Sequence, residues 1–301
     1  MLHSISKHLP DYDHYFTAYY SDGIELIGLK LGLLETTCLS GTFRRLTEDY
    51  IKENNLNMDY AGRNNDYDLV LTSSDLIIPR NIKKKKIILV QEGMTDPQNW
   101  IYHLVKFFRL KRYFASTSTT GLSNAYIAFC VASEGYKEFF IRSGCKSDKI
   151  RVTGVPNYDN CKAYLNNDFP YKDYVLVCTS DARETWKIED RKGFILKAVK
   201  IANGRQMIFK LHPNEKFERA KREINKYAPG ALIYTSGNTD HMVANCSVLV
   251  VTYSTMAYVG IILGKEVHSR FDIEDLKNMI PNQNGGVSAK NIAEVCKEFL
   301  Q

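Results

Sequence analysis

Short apolar runs separated by polar, amphipathic stretches set the rhythm of this chain. In the first half, Asp68–Thr72, Lys86–Val90 and Tyr126–Val131 are apolar runs of strand length, and Ile150–Thr153 begins another. Runs without alternation predict strands buried on both faces, as in parallel sheets. Trp100–Phe114 has apolar residues at helical spacing, with Lys106, Arg109, Lys111 and Arg112 on the other face. Glu134–Ser143 predicts a second helix, with Ser133 as its N-cap and Gly144 at its close. The second half restarts the alternation. It predicts strands at Tyr174–Thr179, Met207–Lys210, Ala231–Tyr234 and Ser247–Val251. Between and after them lie predicted helices at Arg191–Ala202, Lys216–Tyr227, Thr239–Asn245 and Thr255–Leu263. Asn291–Leu300 reads as a closing amphipathic helix. Strand–helix alternation of this kind defines an α/β chain with parallel sheets covered on both faces.

A turn containing Gly and Pro, Gly154–Asp159, precedes the polar crossing Lys162–Lys172 and marks a domain boundary. The predicted organisation is an N-terminal domain over 1–155, a second domain over 156–285 and a closing helix over 286–301. This gives two Rossmann-like domains facing across a cleft, and 301 residues suit two domains of ordinary size. The first forty residues lack an apolar strand followed by a Gly-rich loop. The first domain therefore reads as shortened or replaced at its start.

Composition narrows the class. With 44% hydrophobic and 25% charged residues, the chain is of the soluble globular type. A net charge of +6 fits a phosphorylated small molecule or an anionic membrane surface as well as nucleic acid. No RNP-like motif, zinc-finger spacing or long basic arm is present, so no nucleic-acid partner is expected. The seven cysteines (Cys38, Cys130, Cys145, Cys161, Cys178, Cys246 and Cys296) are scattered and odd in number, without a C-x-x-C. They read as reduced thiols of a cytoplasmic protein. Met1–Pro10 lacks the apolar core of a signal peptide, and no run is long enough to span a bilayer. The aromatic residues interleaved with the Lys106–Arg112 cations read first as a core-facing stripe. The alternative is a peripheral contact with the inner membrane face.

Two stretches carry the candidate chemistry. Lys210-Leu211-His212-Pro213-Asn214 and Val250–Thr255 each sit where an apolar run gives way to small polar residues. An α/β domain puts its ligand loops there, at the carboxyl ends of parallel strands. His212 is fixed by Pro213, and Lys210 adds charge. Thr252, Tyr253, Ser254 and Thr255 place four hydroxyls between a strand and a helix. They read as a phosphate site at a helix N-terminus, or as a helix cap alone. Thr179-Ser180, with Arg183 and Glu184 following, ends the first strand of the second domain and is a further candidate contact.

In the first half, Gln91-Glu92-Gly93 follows a strand. Glu92 reads as a general base for an acceptor hydroxyl, or as part of a surface turn; Asp96 is the nearby substitute. Ser116–Ser123, rich in hydroxyls, reads as a polar loop in preference to an acceptor-sugar contact. Asp66-Tyr67-Asp68 reads as a strand-opening turn in preference to a metal motif. No zinc cluster, P-loop, dinucleotide fingerprint or serine nucleophile elbow is present. Neither a metal nor a cofactor is expected.

On these residues the second half resembles the donor domain of GT-B glycosyltransferases. The likeness is to the branch with a His-Pro motif and a later Ser/Thr motif, which includes bacterial sialyltransferases, Kdo transferases and glycerophosphotransferases. Gly154–Asp159 is similar to the Gly-x-Pro segment that opens the second domain there and in hydrolysing UDP-sugar 2-epimerases. The likeness covers roughly residues 126–270 and rests on three short motifs. It implies a nucleotide-sugar donor held by His212, Pro213, Ser254 and Thr255; Lys210, Asn214, Tyr253, Thr179, Ser180 and Gly154 are the further candidate donor contacts. It also implies a base at Glu92, although Gln91 departs from the acid-acid-Gly motif of the CMP-sialic acid transferases. The function implied is an inverting, metal-independent transfer, from a CMP-activated acid sugar, to a glycan or lipid-linked glycan of a surface polysaccharide or lipopolysaccharide. A UDP-sugar 2-epimerase-like enzyme and a non-catalytic sugar-nucleotide-binding protein are the alternatives.

Overall fold

The computed structural model describes residues 1–32, 39, 41–185 and 187–300. Cys38 lies outside them; the other six cysteines are free thiols, all buried. The chain divides into two compact units, Met1–Asp159 with Pro281–Gln301, and Asn160–Ile280. The turn at Gly154–Asp159 thus ends the first pass through the first unit, and the chain returns to that unit at Pro281.

The first unit begins with helices α1 (Leu2–Ser6), α2 (Ile24–Lys30) and α3 (Gly41–Glu53). It continues through β1 (Leu69–Thr72), β2 (Lys86–Val90), α4 (Trp100–Phe107), β3 (Ala128–Val131), α5 (Glu134–Ser143) and β4 (Ile150–Val152). The second unit runs β5 (Val175–Cys178), α6 (Arg191–Ala202), β6 (Met207–Lys210), α7 (Phe217–Tyr227), β7 (Leu232–Tyr234) and α8 (Thr239–Asn245). It ends with β8 (Val248–Val250), α9 (Met256–Ile262), β9 (Glu266–His268) and α10 (Ile273–Asn278). Helix α11 (Ser288–Leu300) belongs to the first unit.

In the first unit the strands lie in the order β1-β2-β3-β4, all parallel, with Ile88 beside Ala128 and Phe129 beside Ile150. The strands are apolar on both sides because both sides are covered. Ile88, Val90, Ala128 and Cys130 pack with Ile5 and Leu9 and with Ile292 and Cys296 of α11. Phe129, on the alternate register, meets Tyr126 and Phe140. The closing helix is therefore part of this unit's core rather than an appendage. Among the described residues no strand precedes β1.

In the second unit the order is β7-β6-β5-β8-β9, again all parallel. Val175, Val177, Phe209, Val248 and Val250 bury against Phe194, Ile195 and Ala198 of α6 and Ala220 and Ile224 of α7. On the other face, a Cβ added to Gly260 of α9 would stand 2.8 Å from both Leu249 and Val267, so glycine lets that helix approach the sheet closely.

Two expectations change. The helix predicted over Trp100–Phe114 ends at Phe107. Arg109 takes a positive φ of 52°, which an α-helix does not admit, and the chain resumes as 3-10 turns over Arg112–Thr119. Strand β9 was not legible, because Glu266-Val267-His268 holds one apolar residue. Among the described residues no helix is long and apolar enough to cross a membrane.

Candidate functional site

In the second unit β5 has β6 on one side and β8 on the other, so the connections diverge between β5 and β8. Ligands of open α/β sheets bind outside the carboxyl ends of strands at such a reversal. The loops that leave there are Thr179–Asp190 and Val251–Thr255. His212 follows the neighbouring strand β6.

The His212 loop is tightly built. His212 N donates to Thr179 Oγ1 at 3.1 Å. Asn214 N donates to His212 Nδ1 at 3.2 Å, and Asn214 Nδ2 donates to Asp181 Oδ2 at 3.1 Å. With Nδ1 accepting, Nε2 is the ring nitrogen whose N–H is offered to a ligand. The ring is half-buried, with Asp181 Oδ2 3.7 Å from Nδ1. Pro213 fixes the backbone between His212 and Asn214.

Beneath the loop lies a charged cluster that the sequence did not signal as a unit. Thr179 Oγ1 donates to Glu215 Oε2. Glu215, wholly buried, stands 2.8 Å from Arg191 Nη1 and 3.4 Å from Arg183 Nη2. Arg183 also makes a two-pronged contact with Glu223 at 2.8 and 2.9 Å, and Arg191 Nε donates to Glu189 at 3.0 Å. Burial pushes the Glu215 carboxyl upward against the pull of Thr179, Arg191 and Arg183. Ser180 Oγ donates to Glu189 Oε1 at 2.8 Å, so Ser180 and Thr179 hold the scaffold together. The alternating signs of Asp181–Arg191 were the available clue.

Lys210 is placed differently from the charge donor expected. It is buried, and its Nζ donates to the carbonyls of Leu211 and Thr235 at 3.2 and 3.3 Å. Burial lowers its pKa. The ammonium serves the ends of β6 and β7.

After β8, Ser254 Oγ accepts from Met256 N at 3.3 Å, whereas Thr255, the N-cap of α9, makes no side-chain cap bond. Thr252 is buried, and its carbonyl accepts from Arg270 N and Ser269 Oγ. Tyr253 is exposed, its ring edge-on to Phe271 at 4.9 Å, with the Arg270 guanidinium 6.0 Å from its centre. Beside the reversal, the first turns of α6 and the ends of β8 and β9 enclose a cavity of about 110 Å³. Lys197 and Arg270 supply its cations, Asp190 its acid and His268 an imidazole. These residues escaped the sequence reading because the cations lie on α6 and after the illegible β9.

Gly154 belongs to the first unit. Its φ is +74°, and a Cβ there would collide with Ser288 Oγ and Asn284 Nδ2. Glycine lets the chain pass against the start of α11.

Glu92 follows β2 in the same unit. Its side chain reaches solvent at the rim, yet the protein mass behind it removes water and raises its pKa, with the Met1 ammonium opposing weakly. Its carbonyl accepts from Asn157 Nδ2 at 3.2 Å. Asp96 is partly buried, and its backbone N–H donates to Thr117 Oγ1 at 2.8 Å.

Gln91 explains its own departure from the acid motif. It is buried, accepts from Ala132 N at 2.9 Å and donates to the Gly93 carbonyl at 2.9 Å. That position requires an acceptor and a donor together. An ionised carboxylate supplies no donor, so it would leave the Gly93 carbonyl facing a buried charge.

The hydroxyl-rich loop is structural. Ser118 and Thr119 are buried within the 3-10 turns, and Thr119 Oγ1 donates to the carbonyls of Arg112 and Ser116. In the D-x-D stretch, Asp66 pairs with Lys85 and Tyr67 donates to the buried Asp59. This is the arrangement of a strand-opening turn.

No family model matches the chain, and no curated protein matches it in sequence. The fold is similar to that of the UDP-GlcNAc 2-epimerase from Neisseria meningitidis bound to UDP-GlcNAc. The identity is 14% and the TM-score 0.53, over 85% of this chain and 89% of that one. It is also similar to S. aureus MnaA in its structure with UDP, at 12% identity and a TM-score of 0.50, over 85% and 69%. The wall teichoic acid polymerase TagF, in a crystal soaked with CDPG, aligns at 9% identity and a TM-score of 0.49, over 81% and 78%. The two parallel α/β units are Rossmann-like, and the fold is of the GT-B type.

Proposed function

We propose that this protein is a metal-independent, inverting glycosyltransferase. It takes a sugar from a nucleotide donor and passes it to a surface glycan, free or lipid-linked. The observation that carries this reading is the arrangement at the strand ends of the second unit. The His212 loop and the Tyr253–Thr255 hydroxyls leave β6 and β8, on either side of β5. In this reading His212 Nε2–H and the Ser254 and Thr255 hydroxyls meet the donor phosphate, and Tyr253 lies beside the base or ribose. The acceptor oxygen attacks the anomeric carbon and loses its proton to Glu92. The carbon–oxygen bond to the nucleotide breaks, and the nucleotide leaves with the electron pair. Hydrogen-bond donors stabilise that leaving charge.

The His-Pro, Ser-Thr and acid-Gly motifs together favour a CMP-activated acid sugar as donor. A second reading, a UDP-sugar 2-epimerase-like enzyme, is favoured by the UDP-GlcNAc and UDP bound to two proteins of similar fold. Acids tied into ion pairs weigh against it: Glu189, Glu215 and Glu223 all face Arg183 or Arg191.

The deciding experiment is turnover of CMP-activated acid sugars and of UDP-GlcNAc, with and without a surface-glycan acceptor, followed by NMR of the sugar. Nucleotide release that requires acceptor is the expected result. Conversion of UDP-GlcNAc without acceptor would replace this reading with the epimerase. Binding without turnover under any acceptor would remove the enzyme.

A further inference from the structure

Helix α4 has two apolar faces. Tyr102 and Val105 point inward and are buried. Trp100, Leu104, Phe107 and Phe108, spaced i, i+4, i+7 and i+8, share the opposite face, and all are exposed. Trp100 is 69% accessible, Phe107 80% and Phe108 61%. Just beyond the helix, Leu110 and Phe114 are exposed as well. The aromatics predicted to form one core-facing stripe are thus divided, and the larger share faces out. Soluble proteins rarely display so many large apolar side chains together without something to cover them.

Charge identifies the cover. From Pro97 to Ser133 the sequence contains no Asp or Glu, but it holds Lys106, Arg109, Lys111 and Arg112. Arg112 is taken up by the buried Asp75 and Lys111 by Glu25. Lys106 Nζ donates to the Ser143 carbonyl at 3.0 Å, which satisfies a hydrogen bond but leaves its charge unpaired by an acid. Among the described residues Arg109 makes no ion pair. The patch is therefore apolar at its centre and net positive at its edge. A second copy docked face to face would set these cations against themselves, since a two-fold interface apposes the same patch. An anionic bilayer satisfies both features: aromatic side chains enter the headgroup boundary, and the cations meet lipid phosphates.

We propose that the outward face of α4 and the following turn, Trp100–Phe114, dock this protein onto an anionic lipid bilayer without spanning it. This surface belongs to the first unit and the donor loops to the second, and the proposal holds whichever donor the protein uses.

The test uses the full chain with vesicles of phosphatidylcholine alone and of phosphatidylcholine with phosphatidylglycerol. The two tryptophans are Trp100 and Trp186, so Trp186→Phe leaves Trp100 as the sole reporter. Co-sedimentation and a blue shift of Trp100 emission are expected with the anionic vesicles, both weakened by salt. The double variant Phe107→Ser/Phe108→Ser is expected to lower partitioning roughly a hundredfold or more, since burying each ring is worth roughly tenfold or more in affinity. Arg109→Glu, in an exposed turn, is expected to weaken binding to the anionic vesicles. These side chains face solvent, so the melting temperature should be unchanged in each variant. Failure of the wild type to bind either vesicle, or undiminished binding by the double variant, would overturn the proposal. So would a concentration-dependent dimer that Phe107→Ser disperses, which would make the patch a contact between copies.

Discussion

Asp75→Ala is expected to cost about 3–5 kcal/mol of stability and to release the segment from Arg112 to Ser123. Asp75 is 1% exposed. Its Oδ1 accepts from Gly121 N at 3.0 Å, and its Oδ2 accepts from Ser123 N and from Arg112 Nη1, each at 3.0 Å. Arg112 Nη2 also donates to the Asp75 carbonyl. Alanine would strand two backbone N–H groups and a guanidinium that is mostly covered. The backbone has little room to adjust, because a Cβ at Gly121 would lie 2.7 Å from Cys145 Sγ and 2.9 Å from Phe129. Asp75→Asn retains one strong acceptor and should lose less. Chemical denaturation with hydrogen exchange across 112–123 checks both. A near-neutral Asp75→Ala would mean that water replaces the carboxylate without penalty.

Glu92→Gln is expected to lower kcat by about 10²–10⁴-fold, the usual contribution of a positioned base, with the melting temperature unchanged or raised. The two effects separate a base from a structural acid. The surrounding protein raises the Glu92 pKa in the folded state, so the ionised carboxylate weighs slightly against the fold, a penalty that solvent at the exposed side chain keeps small. That penalty is absent below the ordinary carboxylate pKa and fully present once the pH exceeds the folded value. Glutamine removes it, which is why the variant should be no less stable at neutral pH. The acid limb of the kcat/KM profile should also lie above the ordinary glutamate range, since the base must be ionised to act. A variant that keeps its rate would transfer the role to Asp96 or remove it from this loop. One that loses rate and stability together would make Glu92 a structural residue.

The sequence made the sheets legible and the surfaces much less so. Ile87–Val90, Ala128–Val131 and Val175–Cys178 read as strands because parallel strands covered on both faces are apolar at every position. The outward face of α4 was hidden by the same logic. The apolar residues on the two faces of α4 were read as one stripe opposite the cations, so Trp100 and Phe107 looked like core. Gly154 was singled out on a local motif, and its packing against Ser288, far along the chain, was not legible. Lys210 looked available because it ends a strand, but its aliphatic stem is buried and its head meets two carbonyls. The His212 and Ser254 loops were legible because strand-to-loop transitions mark ligand loops in any α/β sheet. The Arg183–Glu215–Arg191 cluster was not, since its members are brought together only when the loops after β5 and β6 fold against each other.

A nucleotide site on the second unit is open to calorimetric titration of wild type and His212→Ala with CMP and UDP. Wild type should bind CMP saturably, with binding lost or weakened at least tenfold in His212→Ala, since a hydrogen bond to a charged phosphate contributes about 1.5–3 kcal/mol. His212→Ala keeps the bond from its backbone N–H to Thr179 and frees only the exposed Asn214 N–H, which water satisfies, so a nearly unchanged melting temperature should accompany that loss. Saturable binding of UDP alone would keep the site and change the donor. No binding of either nucleotide by the wild type, or equal binding by His212→Ala, would contradict the claim.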